Sequence, residues 1–438
     1  MSERPATTAE YGRAARTVSI GIAATGLVTM AYFALASHAL SGPDYSLIAV
    51  LWSVLFVVIS VVYRPIEQLL SRTIAHGAAR GRGDHPLRAI AGIEAGFAAT
   101  AVALAIALRP TLQREVFDGS AVLSWILVAS IACYAASYFA RGWLSGHKRF
   151  VLYGSLVLVE SCTRTLFALA VVAGLAHGVD AVALGMAAAP VLSLLVVPLA
   201  FTRRGRAEAS LPSAGPAADP DPAAGEFTLG RGVGFALAVL GVMLAEQALL
   251  NAPVLVIDAT SADAALAGVV FNVFLIVRAP LVLFQSVQTS LLPHLAGLAP
   301  GDRAFAHAVR TTVAAIAAFA GAVALGLALV GPGVMHAVFG SDGDYARGGL
   351  AIMGVAMGFH LAAATLTQAQ LARERTLGPA LAWLGAAAAF VAWMVADAIA
   401  DPVLRAEAGY AGAAALLVGA LAVLERREAR AAAAGPRG

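Results

Sequence analysis

The chain has 438 residues, 60% of them hydrophobic and only 13% charged, with a net charge of +3. A soluble domain carries about 25% charged residues, so a mean hydropathy of +0.81 excludes a protein solvated by water over most of its surface. Lipid must solvate most of this chain, and no nucleic-acid partner is expected.

Apolar blocks recur at 17–40, 45–63, 89–108, 121–140, 152–176, 181–201, 232–257, 264–292, 306–330, 346–371, 377–399 and 408–424. Each is close to the roughly 20 residues a helix needs to cross a hydrocarbon core. The blocks must be helices, because backbone polar groups in lipid have to be satisfied within the segment. Barrel strands would be about half as long and alternate in polarity. Twelve crossings place both termini on one side. Of the 29 basic residues, Arg109, Arg114, Arg347 and Arg405 fall in one set of loops, and Arg164 and Arg278 lie inside blocks. The others, from Arg4 to Arg437 and including Arg141, Lys148 and Arg149, fall in the alternate loops and both tails. By the positive-inside rule that second side is the cytoplasm. Block one is no cleavable signal, since it is long and no small-residue cleavage site follows it. A basic complement that is nearly all Arg, with abundant Ala, suits a GC-rich bacterial genome and hence an inner-membrane, multi-pass protein.

Residues 203–230 are rich in Pro, Ala, Gly and Asp and cannot build a core. They divide the chain into a six-helix lobe at 1–202, a cytoplasmic linker at 203–230, a second six-helix lobe at 231–424 and a basic tail at 425–438. The halves echo one another. Leu69-Leu70 falls on Leu291-Leu292, and Arg141-Gly142-Trp143-Leu144 falls on Gln368-Ala369-Gln370-Leu371, at matching places in the two lobes. Duplication is a common way to build transporters.

Ionisable residues inside spanning helices are expensive and face protein or a wet cavity. Arg64 ends block two, followed by Pro65, which kinks or weakens the helix, and by Glu67 and Gln68 on the same face. It reads either as a snorkelling cation with a local Glu partner or as a charged gate at the cytoplasmic mouth. Glu160 and Arg164 are four apart on block five and can satisfy each other. Glu246, Gln247 and Asn251 lie on block seven, where Glu246 is either a carrier of H⁺ or Na⁺ or a structural carboxyl. Arg278 lies roughly 21 Å into block eight at about 1.5 Å per residue, with no acid within four positions. It must find an interhelical partner, a wet cavity or an anionic substrate; Asn272, Gln285 and Gln288 add polarity to its helix. Glu94 reads as reaching the interface, and Asp397 as lying near the outer edge. His360 reads as a lone structural histidine. Gly321, Gly326, Gly331 and Gly333 suit close packing or hinging. Cys133 and Cys162 lie inside blocks without metal spacing, no Walker motif occurs, and no cofactor or metal is expected.

The run Tyr138-Phe139-Ala140-Arg141-Gly142-Trp143-Leu144-Ser145-Gly146-His147-Lys148-Arg149-Phe150, followed by Glu160 and Arg164, resembles polysaccharide exporters of the multidrug/oligosaccharidyl-lipid/polysaccharide (MOP) superfamily. Arg64-Pro65-Ile66-Glu67-Gln68 and Gln288…Pro293 resemble the ends of helices two and eight in that group. The resemblance implies an all-α protein of twelve transmembrane helices, with two six-helix lobes in a V around a central cavity. It implies a Wzx-like flippase, not an enzyme, moving a polyprenyl-pyrophosphate-linked oligosaccharide from the cytoplasmic to the outer leaflet by alternating access. Cationic cavity residues would attract the pyrophosphate. Arg64, Arg278 and Arg164, with Gln68, Gln285 and Gln288, are the candidate contacts; Glu246, Glu160 and Glu67 are candidates for ion coupling. Block one lacks the cationic residues of the lipid II branch, which favours a surface-polysaccharide unit. Its partners would be the lipid-linked oligosaccharide, the bilayer, a polysaccharide polymerase and glycosyltransferases. The competing readings are an ion-coupled antiporter of the drug-exporting MOP branch (MATE) or of the major facilitators, and a polytopic enzyme acting on polyprenyl lipids. The loop at 76–85 lacks the acid-before-arginine order of the major facilitators.

Overall fold

The computed structural model describes residues 8–79, 87–147, 149–202, 229–276, 278–280, 303–340, 345–371 and 375–433. Among them every regular element is a helix. The first half holds α1 (Thr8–Ala39), α2 (Gly42–Val62), α3 (Arg64–Ala79), α4 (Leu87–Glu115), α5 (Ala121–Gly146), α6 (Phe150–Val172) and α7 (Gly178–Ser193), which ends in a 3-10 turn at Leu194–Phe201. The second half holds α8 (Leu229–Thr260), α9 (Leu266–Pro280), α10 (Arg303–Phe339), α11 (Arg347–Leu371), α12 (Leu377–Val395) and α13 (Pro402–Ala433). Among the described residues, 10 helices are long and apolar enough to cross a membrane. α1 and α9 fall outside that set, and the predicted block eight runs past residue 280 into residues outside those described.

The helix boundaries follow local chemistry. Ser41 caps α2 by accepting from Asp44 N–H, with Pro43 in the first turn, where its missing N–H costs nothing. Ser120 caps α5 in the same way through Leu123 N–H, at 3.2 Å. Block two breaks where Pro65 predicts it. Pro65 cannot donate to the carbonyl four residues back, so α2 ends at Val62 and α3 restarts at Arg64 around Tyr63. The turn is held by Ile66 and Glu67 N–H groups donating to Tyr63 O at 3.1 and 2.9 Å. The Tyr63 hydroxyl donates to Ile131 O of α5 at 2.7 Å, fixing the break against its neighbour.

The chain divides into two compact units, Met1–Ala217 and Ala218–Gly438. Within the first, α1 packs on α6, α6 on α7, α5 on α7, and α3 and α4 on α5. Within the second, α8 packs on α12, α12 on α13, α11 on α13, and α10 on α11. With the broken α2–α3 span counted as one helix, the pairings of first with fifth, fifth with sixth, fourth with sixth and third with fourth helix are the same in both units, so the echo seen faintly in sequence recurs in packing.

Lipid offers helices no hydrophobic reason to associate, so small residues and hydrogen bonds must hold them. α3 meets α5 at Gly142, where a Cβ would lie 2.9 Å from Glu67 O. α11 meets α10 at Gly354, where a Cβ would lie 2.7 Å from Ala324 Cα. Of the four block-nine glycines expected to pack closely, Gly331 faces Leu350 while Gly321, Gly326 and Gly333 open onto free space. The close approach is made by α11 instead. Leu27, Leu166, Leu195 and Leu325 are more than half exposed, as lipid-facing side chains must be.

Candidate functional site

The first unit holds a closed ionic network in its interior. Glu160 of α6 accepts from Arg164 at 2.8 Å, from the Tyr134 hydroxyl at 2.9 Å and from Ser137 at 3.4 Å, and also forms an ion pair with Arg141. Arg164 further donates to the Tyr134 hydroxyl at 2.8 Å and to Ser161 at 3.0 Å, with its guanidinium 5.0 Å from the Trp52 ring centroid. The Arg141 guanidinium lies 4.6 Å from the Tyr138 ring. All three ions are buried.

The predicted Glu160–Arg164 pair is therefore present but incomplete as predicted. Hydropathy alone ends block four at residue 140 and so leaves Arg141 in a cytoplasmic segment. α5 runs on to Gly146, and Arg141 points back into the unit to pair with Glu160. Gly142 explains how. With no side chain there, α3 can lie directly against α5 while the preceding Arg141 reaches α6. The Arg-Gly pair in the motif thus has two separate jobs.

Arg64 is half-buried at the start of α3 and lies within electrostatic reach of Glu67. Glu67 is half-buried and accepts from the Tyr153 hydroxyl of α6 at 3.0 Å. Gln68 is exposed, so the structure does not gather it with the other candidates.

In the second unit, Arg278 of α9 reaches across to α8. It donates to Leu250 O at 2.8 Å and to Asn251 Oδ1 at 2.6 Å, with its guanidinium 5.2 Å from the Phe271 ring. Asn251 is oriented by giving its own amide to Gln247 O and Oε1, at 3.0 and 3.1 Å. The predicted interhelical partner exists. Among the described residues it consists of neutral oxygens, not a carboxylate. Gln285 and Gln288 lie outside the described residues.

Glu246 and His360 lie on separate apolar blocks of the sequence. They lie together: His360 Nε2 is 3.5 Å from Glu246 Oε1. That is an ion-pair distance and too long for a good hydrogen bond. His360 Nδ1 and the Tyr410 hydroxyl are 2.8 Å apart, and the edge of Trp383 covers the ring. Tyr410 lies within electrostatic reach of both Glu246 and Arg278. One polar chain therefore joins α8, α11, α13 and α9. Sequence could not place these residues together, because they are isolated polar positions on helices far apart in the chain.

Two further expectations need correcting. Glu94 does not reach the interface; it is 4% exposed, and neither carboxyl oxygen has a hydrogen-bond partner. Arg405, counted with the loops, lies in the first turn of α13, where it is buried and ion-paired with Asp397.

No protein-family model matches the sequence, and no curated protein matches it significantly. Solved structures do. The lipid II flippase MurJ in an inward closed conformation superposes with a TM-score of 0.67 at 12% identity, covering 93% of this chain and 87% of that one. An inward-facing multidrug resistance MATE family transporter of the MOP superfamily gives 0.65 at 13% identity, covering 96% and 99%. The Vibrio cholerae MATE transporter VcmN in its bent form gives 0.57 at 12% identity, covering 97% and 99%. The chain therefore has the fold of MOP-superfamily transporters.

Proposed function

We propose that this protein is a flippase that moves a polyprenyl-pyrophosphate-linked oligosaccharide, a surface-polysaccharide unit, from the cytoplasmic to the outer leaflet by alternating access. The observation that carries this reading is Arg278: a guanidinium well inside a membrane unit, held in place by two neutral oxygens and, among the described residues, neutralised by no carboxylate. Such a group is oriented but retains its charge for an incoming anion. Arg suits phosphate through its forked, bidentate donors. Arg64 would be a separate first contact at the cytoplasmic end of its own unit. Arg164, already held by Glu160, Tyr134 and Ser161, would hold the helices and not the substrate. Moving an anion outward across an inside-negative membrane is favoured by about 2.3 kcal/mol per charge per 100 mV, so the potential can supply part of the drive. This reading carries with it a bacterial inner-membrane location, cytoplasmic termini, and cooperation with glycosyltransferases and a polymerase.

The test is to reconstitute Arg278→Ala in vesicles with a fluorescent polyprenyl-pyrophosphate oligosaccharide and follow the label between leaflets. Flipping should fall at least tenfold. Unchanged flipping sinks the reading.

A specific observation supports a second reading, a proton-coupled antiporter of MATE type. Glu246, His360 and Tyr410 form a titratable chain beside Arg278, and MATE transporters share the fold. In that case Glu246→Gln would abolish drug efflux driven by a pH gradient and leave lipid flipping untouched.

A further inference from the structure

α4 is sparsely buried: of its 29 residues, Leu87 to Glu115, only Ile90, Glu94 and Ala105 are buried. Ile90 packs into a small apolar cluster with Ile66, Leu70 and Ile74 of α3. Glu94 lies one turn further along the same face, roughly 10 Å along the helix from Leu87. One of the three residues by which α4 is seated is therefore a carboxyl group with both oxygens buried and without a hydrogen-bond partner.

Among the described residues, the groups around it offer no counter-charge. Its electrostatic neighbours are Tyr63, at the α2–α3 break, and Glu67 on α3. Glu67 already accepts from Tyr153, and the Tyr63 hydroxyl is committed to Ile131 O. On α5, which packs along α4, Tyr134 and Arg141 bond Glu160, and Tyr138 lies under Arg141. His147 bonds Trp143 O, and Cys133 is a partly buried thiol. Arg88, on α4 itself, is exposed. A buried, unpaired carboxylate is so unfavourable that such a group takes up a proton instead.

We propose that Glu94 is a proton-binding site, occupied while α4 lies against the α2–α3 break and emptied when α4 leaves it. The chemistry balances: the carboxylate takes a proton from hydronium and returns water, and the neutral acid then stays buried one turn beyond Ile90, the α4 residue that packs with Ile66, Leu70 and Ile74. Loss of the proton restores a charge that must reach water, which unseats the helix. The ligand is the proton, and the site lies in a different unit from Glu246 and His360. It does not depend on the identity of any transported substrate.

The experiment uses the full-length protein in lipid vesicles without substrate. A pH-difference infrared spectrum should show a protonated-carboxyl band that Glu94→Gln removes and Glu67→Gln keeps. Spin labels at the exposed positions Leu69 and Ile93, with Cys133 and Cys162 replaced by Ser, should report a distance between α3 and α4 that lengthens as pH rises. Glu94→Gln should hold the short distance at every pH. The proposal is overturned if the band survives in Glu94→Gln, if wild type shows no such band, or if the distance depends on pH equally in both proteins. Should Glu94→Gln not fold, Glu94→Asp must shift the band and the midpoint of the distance change; an unmoved band and midpoint overturn the proposal as well.

Discussion

The two units repeat four helix pairings and hold the arginines Arg164 and Arg278 in opposite ways. In the first, Arg141, Glu160 and Arg164 join α5 to α6 through ion pairs. The alignment that lays Arg141 on Gln368 lays Glu160 on Ala387 and Arg164 on Val391. At the corresponding place in the second unit, α11 and α12 are joined by a neutral bond from Trp383 Nε1 to Thr367, at 2.9 Å. The second unit's own intramembrane cation, Arg278, instead meets carbonyl oxygens. The junctions at the ends of these hairpins differ in another way. Arg149 is tied to the backbone carbonyl of Ala200 in one unit, and Gln370 to Glu425 at 2.7 Å in the other. The difference separates two uses of arginine. A cation whose counter-ion is built in serves as a fastener, and one held by neutral dipoles stays available.

The largest effect should come from breaking the fastener. Glu160→Ala leaves two buried cations without their shared partner, and should destabilise the protein by about 3–5 kcal/mol, read as a lower unfolding midpoint in detergent. Arg278→Ala should do the reverse, changing stability by less than about 1 kcal/mol, because losing its hydrogen bonds is offset by removing a desolvated charge. Its transport should nevertheless fall about tenfold to a hundredfold, the equivalent of one charge-assisted hydrogen bond to phosphate. Arg278→Lys should fall between, since Lys keeps the charge but not the fork. A stability loss for Arg278→Ala as large as that for Glu160→Ala would erase the distinction. Smaller effects sharpen it. Trp52→Leu should cost about 1 kcal/mol by uncovering Arg164. Tyr410→Phe should cost about 1 kcal/mol through the lost bond to His360 and leave the first unit's network unchanged, as measured by double-mutant cycles with Glu160→Ala.

Spacing along one helix made much of this legible. The blocks, the weak point at Pro65 and the Glu160–Arg164 pair all follow from local periodicity, because the physical cause lies within about one turn. Arg141 was missed because hydropathy ends a block at the first charge, whereas the helix ends where hydrogen bonding does, five residues later at Gly146. Glu246 and His360 were missed as a pair because 114 positions of chain separate them and each is a single polar residue on an apolar helix. Glu94 was misjudged because distance from a helix end is a poor guide to exposure when a neighbouring helix covers that end.

The α5–α6 hairpin also constrains how the protein enters the bilayer. A charged residue near the middle of a spanning helix raises the cost of insertion by about 2.5–3.5 kcal/mol. Glu160 and Arg164 lie one turn apart on α6 and can enter already paired. Arg141, near the end of α5, acquires its counter-ion only when α6 arrives. The second helix of the hairpin thus completes the insertion of the first, and the two are expected to leave the translocon as one unit.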